Sequence, residues 1–148
     1  MAVALRKDHL AVAFFRVEID SIDSAAFRKC GGLRSESEIL EYQEGGDNET
    51  VRKLIGPSKA SNLVLTKGYV SDPALFQWRD EIAASGTKKI ARRNGAIVAL
   101  AADGKTEVGR WNFQKAWPVR WEMTEFDAST GQAMCEILEL AVEKLTKG

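Results

Sequence analysis

Glu107-Val108-Gly109-Arg110-Trp111-Asn112-Phe113-Gln114-Lys115-Ala116-Trp117-Pro118-Val119-Arg120-Trp121-Glu122 reads as one long β-strand. Trp111, Phe113, Trp117, Val119 and Trp121 share one parity, and Arg110, Asn112, Gln114, Arg120 and Glu122 share the other. Successive strand side chains point to opposite faces, so this pattern predicts one face packed on a core and one face wet. Pro118 cannot donate a ladder hydrogen bond and marks an edge or a bend. Just upstream, Asp103-Gly104 is a strong hairpin signal. It makes 88–102 the preceding strand, with a bulge or tight turn at Asn94-Gly95. The four tryptophans raise the question of sugar or base stacking. Three of them lie on the apolar parity of this strand and Trp78 on the apolar face of a helix, which reads as core packing between the two.

Working outward, 13–20 alternates Phe15, Val17 and Ile19 with Arg16, Glu18 and Asp20, the pattern of a half-buried strand. A small, polar turn over 21–25 precedes Phe27 to Cys30 and Gly31-Gly32. Segment 33–43 can be a strand only with polar residues on both faces: Glu36 and Glu38 fall with Leu40 and Tyr42, Ser35 and Ser37 with Ile39. That is an exposed sheet surface, not a core strand. Segment 44–58, with Gly45-Gly46, Asp47-Asn48 and Gly56-Pro57, reads as a long loop, a feature that tends to be functional or mobile. Strand character returns over 61–70. The one confident helix is 73–85: Asp72 is its N-cap, Pro73 its first residue, and Gly86 lies just beyond its end. At 100° per residue Leu75, Phe76, Trp78, Ile82 and Ala83 share a face, leaving Gln77, Asp80 and Glu81 outward. The tail, 132–145, is ambiguous: Met134, Ile137, Leu138, Ala141 and Leu145 fit helical spacing. The chain is mainly β with one or two helices.

At 148 residues the chain is one domain, long enough to bury roughly 68–70% of its unfolded surface without disulfide or metal support. Hydrophobic residues at 45% and charged residues at 28% exclude disorder and fibrous repeats. Lysine plus arginine and aspartate plus glutamate each number 21. No basic excess exists for nonspecific nucleic-acid binding, and a neutral surface repels its own copies weakly. The longest apolar runs, 10–15 and 96–102, fall short of the ~20 residues of a membrane helix. No clear cleavage site follows the first run, so the expectation is a cytoplasmic protein without membrane insertion. Cys30 and Cys135 form no framework or Cys-x-x-Cys pattern and read as free thiols. Asn48-Glu49-Thr50 fits the glycosylation sequon but carries no weight without a secretion signal. His9, the single histidine, would have to carry any Ser-His-Asp or Cys-His constellation, and a surface histidine is the plainer reading. No His/Cys cluster offers zinc ligands, and no phosphate-binding glycine motif is present. Glu36 and Glu38 could hold a hard cation or exchange protons, but solvated strand-face charges are the default. These readings predict no enzyme, no metal and no cofactor. They leave a structural part or, as the alternative, a monomeric β-rich ligand-binding or adaptor domain with a concave apolar pocket.

The ordered combination of motifs is more specific than any single piece. Gly31-Gly32-Leu33, Glu36-Ser37-Glu38, Tyr42-Gln43-Glu44-Gly45-Gly46-Asp47-Asn48, Lys53-Leu54-Ile55-Gly56 and Asn62-Leu63-Val64-Leu65-Thr66-Lys67-Gly68 occur in series. They are followed by the Leu75 to Trp78 helix, Trp111-Asn112-Phe113, Ala116-Trp117-Pro118 and Glu136-Ile137-Leu138-Glu139-Leu140. Together, over about 10–145, they resemble the tail tube proteins of contractile phages, closest to the inner-tube proteins of phage-tail-like contractile injection systems. The type VI secretion tube protein is a more distant structural relative.

The resemblance implies an antiparallel β-barrel or sandwich with one flanking helix and a long extended loop. It makes roughly 133–142 a strand, against the helical spacing. It also implies six copies closing into rings, and rings stacking into a hollow tube inside a contractile sheath. The partners would be the chain itself, sheath, baseplate or hub, terminator and cargo in the lumen. Assembly would occur in the bacterial cytoplasm, and the product would be a phage-tail-like particle. On this reading Glu44, Gly45, Gly46, Asp47, Asn48, Glu49, Arg52 and Lys53 make ring-to-ring or neighbour contacts. Gln77, Asp80 and Glu81 face the sheath. Several of Glu36, Glu38, Asn112, Gln114 and Glu122 border the lumen. The chain departs from its relatives at Val142-Glu143-Lys144, where His-Glu-Gly is common.

Overall fold

The computed structural model describes residues 14–22, 27–43, 45–46, 49–69, 72–85 and 92–148. His9, Glu44, Asp47, Asn48, the helix-stop Gly86 and parts of the 13–20, 21–25 and 88–102 segments lie outside the described residues. In chain order the elements are β1 (Phe14–Ile19), β2 (Phe27–Gly31), β3 (Ser35–Tyr42), β4 (Arg52–Ala60), β5 (Leu63–Gly68), α1 (Ala74–Ser85), β6 (Arg93–Leu100), β7 (Glu107–Met123), β8 (Cys135–Ala141) and β9 (Lys144–Lys147). Every pairing is antiparallel. Seven strands follow the order β1-β6-β7-β8-β5-β2 with β9 beside β7, while β3 and β4 form a separate two-stranded sheet. The large sheet curls around its core but ends at β1 and β2, so it is an open sandwich and not a closed barrel.

The tail is strand β8, as the resemblance implied and the periodicity did not. Its alternation puts Leu138 and Leu140 in the core, each fully buried, between β5 and β7. Neighbouring strands on both sides decide the state that helical spacing left open. Around this sheet Val17, Ile19, Phe27, Leu63, Leu65, Ile97, Phe113 and Ala116 join Leu75, Trp78 and Ile82 of α1 in one core. Asp72 caps α1: its Oδ1 accepts a hydrogen bond from the Ala74 backbone N–H at 3.1 Å. Phe76, placed on the apolar face by its spacing, is 46% exposed. Its ring meets Trp121 edge-on at 4.8 Å. Ala83 is exposed, at the margin of the face.

The strand 107–122 is real but its parity is not uniform. Between Arg93↔Ala116 and Gly95↔Phe113 the register advances two residues along β6 and three along β7. The extra residue is Lys115, with φ 54°. The Asn94 side chain stabilises this bulge by accepting from the Lys115 backbone N–H at 2.9 Å. A second shift follows Pro118, where two residues of β7 oppose one of β8. Each one-residue slip turns the following side chains to the other face. Ala116 and Pro118 are therefore fully buried although they lie on the polar parity. Trp117 and Trp121 pack on the core half-buried, and Trp111 lines a cavity. Replacing Asn94 by alanine should cost about 0.5–1.5 kcal/mol, because the exposed Lys115 N–H then falls back on water, and Asn94→Asp should retain most of that stability. Urea midpoints measure it; a neutral Asn94→Ala would mean the bulge is held elsewhere.

Segment 44–58 is only half a loop. From Arg52 the chain is strand β4, because Lys53 to Ile55 can pair with Ile39 to Glu41 of β3. Gly56 and Pro57 sit at a register shift, where a proline is tolerated. A side chain at Gly56 would come within 2.6 Å of the Glu38 carbonyl oxygen. Glycine is thus required there by close approach. β2 and β9 are short strands that the sequence pattern did not delimit.

Candidate functional site

The hairpin β3–β4 is the most unusual surface. All eight residues of β3 are exposed. Its apolar side chains are not hidden against the core: Ile39 is 62% exposed, Leu40 49%, Tyr42 53%, Leu54 52% and Ile55 90%. At its base Gly32 has φ +91°, and a side chain there would collide with the Asn62 carbonyl oxygen at 2.1 Å. The Arg34 and Ser61 backbones meet across the base, Ser61 N–H donating to Arg34 O at 3.2 Å. Arg34 Nε also donates to Ser61 Oγ at 2.9 Å. Higher up, Ser37 and Ser58 share a hydroxyl hydrogen bond of 2.8 Å. Glu36 lies 3.8 Å from Arg34 and 3.9 Å from Lys59. Of the proposed contact residues, Gly45 and Gly46 form the exposed turn, with Gly46 at φ +97°. Glu49 is exposed beside it, and Arg52 and Lys53 open β4 opposite Tyr42 and Glu41.

A second surface is the outer face of β1, β6, β7 and β9. Here Ala96, Val98 and Leu100 form a small buried cluster. An ion-pair network shares this outer face. Arg110 Nη1 donates to Glu18 at 3.0 Å, and its Nη2 donates to Glu107 at 2.7 Å. Arg16 lies 3.0 Å from Glu18 and 3.9 Å from Glu107. The Arg110 hydrogen bonds hold the Glu18 and Glu107 carboxyls below the usual carboxylate range and push the guanidinium up. This network bridges β1 and β7 across β6. Arg16, Glu18 and Arg110 were legible as polar parity, whereas Glu107 lies on the parity of Trp111 and joins them beyond the register shift between Ala99 and Leu100. Asn112 sits on the same face, between Ala96 and Thr146, with Gln114 exposed two residues on. Glu122 is elsewhere, on the β7–β8 half, in an ion pair with Arg120, which also lies 3.7 Å from Glu139. The five residues assigned to the lumen thus occupy three places in one chain: hairpin, β1–β9 face and β7–β8 face. The third surface is α1, where Gln77, Asp80 and Glu81 are all exposed.

Among the described residues no group of three or more His, Cys, Asp or Glu could hold a metal ion. No described helix is long and apolar enough to cross a membrane. Cys30 and Cys135 are free, and burial pushes the Cys30 thiol up to about 11. At the open seam near β1 and β2 lies a largely apolar cavity of about 780 Å³ lined by Phe15, Cys30, Leu33, Ile97 and Trp111.

The described residues form an open antiparallel sandwich with one helix and a separate two-stranded hairpin. A chain of the cryo-EM sheath–tube complex of the extracellular contractile injection system PVC, in its extended state, matches with a TM-score of 0.81 at 22% identity. The match covers 95% of this chain and 91% of that one. A chain of the anti-feeding prophage (AFP) baseplate matches with a TM-score of 0.80 at 25% identity, covering 97% of each. Hcp1 from Flavobacterium johnsoniae shares the fold at a TM-score of 0.58 and 12% identity, over 91% of this chain and 94% of that one. No curated protein sequence matches the chain. The family profile of the T4-like virus tail tube protein gp19 matches residues 12–146, and the chain belongs to that family. It is a structural tail tube protein, a component of phage-tail-like particles.

Proposed function

We propose that the chain assembles into hexameric rings that stack into the hollow inner tube of a contractile particle, surrounded by a sheath and capped by baseplate and terminator proteins, with cargo passing through the lumen. The observation that carries this is the β3–β4 hairpin. A lone two-stranded ribbon is marginal in water, and one that exposes five large apolar side chains is built to be covered by another copy. A head-to-tail contact of this kind generates rings when its rotation closes. In the assembly Glu44 to Glu49, Arg52 and Lys53 contact a neighbour. Several of Glu36, Glu38, Asn112, Gln114 and Glu122 border a hydrophilic lumen to which cargo does not adhere. Gln77, Asp80 and Glu81 face the sheath. The subunit does no chemistry, and it assembles in the bacterial cytoplasm.

The seam cavity is what a monomeric ligand-binding domain would use, so the test separates the two readings. Purified protein at high concentration should give rings or rods by negative-stain microscopy. In assembled tubes a bulky thiol reagent should label Asp80→Cys but not Gln114→Cys, while a small reagent labels both. A sharp monomer with no rings, even alongside baseplate proteins, overturns the assembly. Equal labelling by both reagents overturns the lumen assignment alone.

A further inference from the structure

The N-terminal end of α1 and the far ends of β7 and β8 enclose a pocket of about 440 Å³. Four aromatic side chains line it, Tyr69, Phe76, Trp121 and Phe126. Three of them, Tyr69, Phe76 and Phe126, are 47%, 46% and 75% exposed, so large apolar side chains of this surface gather at one place. Two carboxylates share the lining, Asp72 and Glu136, and none of the described lining residues is basic. Glu136 is only 2% exposed. Its Oε2 accepts from the Trp121 indole N–H at 2.9 Å, while its Oε1 has no hydrogen-bond partner. Lys67, its register partner on β5, is itself 3% exposed; it lies outside the pocket lining and Oε1 takes no hydrogen bond from it. An unpaired buried carboxylate oxygen is costly, and a donor entering the site would relieve it.

We propose that this pocket receives an arginine side chain of a partner polypeptide. A guanidinium is planar, stacks on aromatic faces and carries five donors, so it can meet the Trp121 and Phe76 rings and reach Glu136 together. The negative faces of the rings and both carboxylates favour a cation and disfavour an anion. The exposed aromatic rim is surface that a polypeptide around the arginine would cover, which a free small cation would not. Neither the hairpin nor the seam cavity contributes a residue to its lining.

The test titrates dilute subunit with N-acetyl-arginine-methylamide and, in parallel, with the neutral near-isostere N-acetyl-citrulline-methylamide, following the Trp121 indole N–H resonance. The expected result is a saturable shift with arginine, and roughly tenfold weaker binding with citrulline, the scale of losing a charge-assisted contact. Glu136→Gln keeps an acceptor for the indole and should weaken arginine binding by a similar factor. If that variant misfolds, Phe76→Leu and Phe126→Leu leave the carboxylate in place and should still weaken it. Equal responses to arginine and citrulline, or no Trp121 shift at saturating probe, overturn the proposal.

Discussion

Ile39→Thr, Leu54→Thr and Ile55→Thr combined should yield a folded, monodisperse subunit that no longer forms rings or tubes. Threonine suits the β-strand backbone of the hairpin, and all three positions are 52% exposed or more in the single chain. Their replacement therefore removes little from the subunit's own stability. Burying an aliphatic side chain of this size contributes about 1.5–3 kcal/mol. Three of them make roughly 5 kcal/mol or more per subunit, which is a rise of more than about a thousandfold in the concentration needed to assemble. Sedimentation velocity on dilution series measures that threshold, and circular dichroism checks the fold. Tubes forming at the wild-type threshold would show that the exposed hairpin is not an assembly contact.

Trp78→Ala should act in the opposite way, destabilising the subunit before any question of assembly arises. Trp78 is 1% exposed, in the middle of the α1 face that closes the core. The Arg93 guanidinium stacks over its ring at 5.1 Å. Truncating a buried tryptophan costs about 3–5 kcal/mol in transfer and cavity terms, a large part of the roughly 5–15 kcal/mol that holds a domain folded. Urea unfolding of the dilute subunit should show a much lower midpoint with little change in slope. A loss under ~1 kcal/mol would mean that the helix packs loosely and contributes little to the core.

The sequence carried the helix, the Asp103-Gly104 turn and the long aromatic strand because each rests on local chemistry. Asp103 illustrates it: its carboxylate accepts from the Thr106 hydroxyl and from the Lys105 and Thr106 backbone N–H groups. Those bonds hold its carboxyl down at about 2. The nature of β3 was legible for a similar reason, since carboxylates on one face and serines on the other exclude a core position. β8 was not, because Leu138 fits a helical set with Met134, Ile137, Ala141 and Leu145 as well as a strand face with Leu140, and only its neighbours on β5 and β7 choose between them. Nor was the strand 52–60, hidden by a Gly-Pro pair that a bulge absorbs. The parity of β7 failed at Lys115 and Val119, where one inserted residue moves everything after it to the other face. The burial of Glu136 was not legible either: its carboxylate meets the indole N–H of Trp121, fifteen residues away in sequence.

The position of β8 also bears on how the chain reaches this fold. β5 and β7 are joined in the sheet by β8, which lies between them yet follows both in sequence. A nascent chain shorter than about residue 135 therefore holds two half-sheets with no strand pairing to join them. Pairing 63–68 with 135–140 is among the most distant closures available to it, and such closures come late and slowly. The hairpin is by contrast more local, its pairs running from Tyr42↔Arg52 to Ser35↔Ala60. Its sticky strands thus exist on a growing polypeptide before the platform that positions them is complete, and orderly polymerisation has to wait for β8 to lock the two halves together.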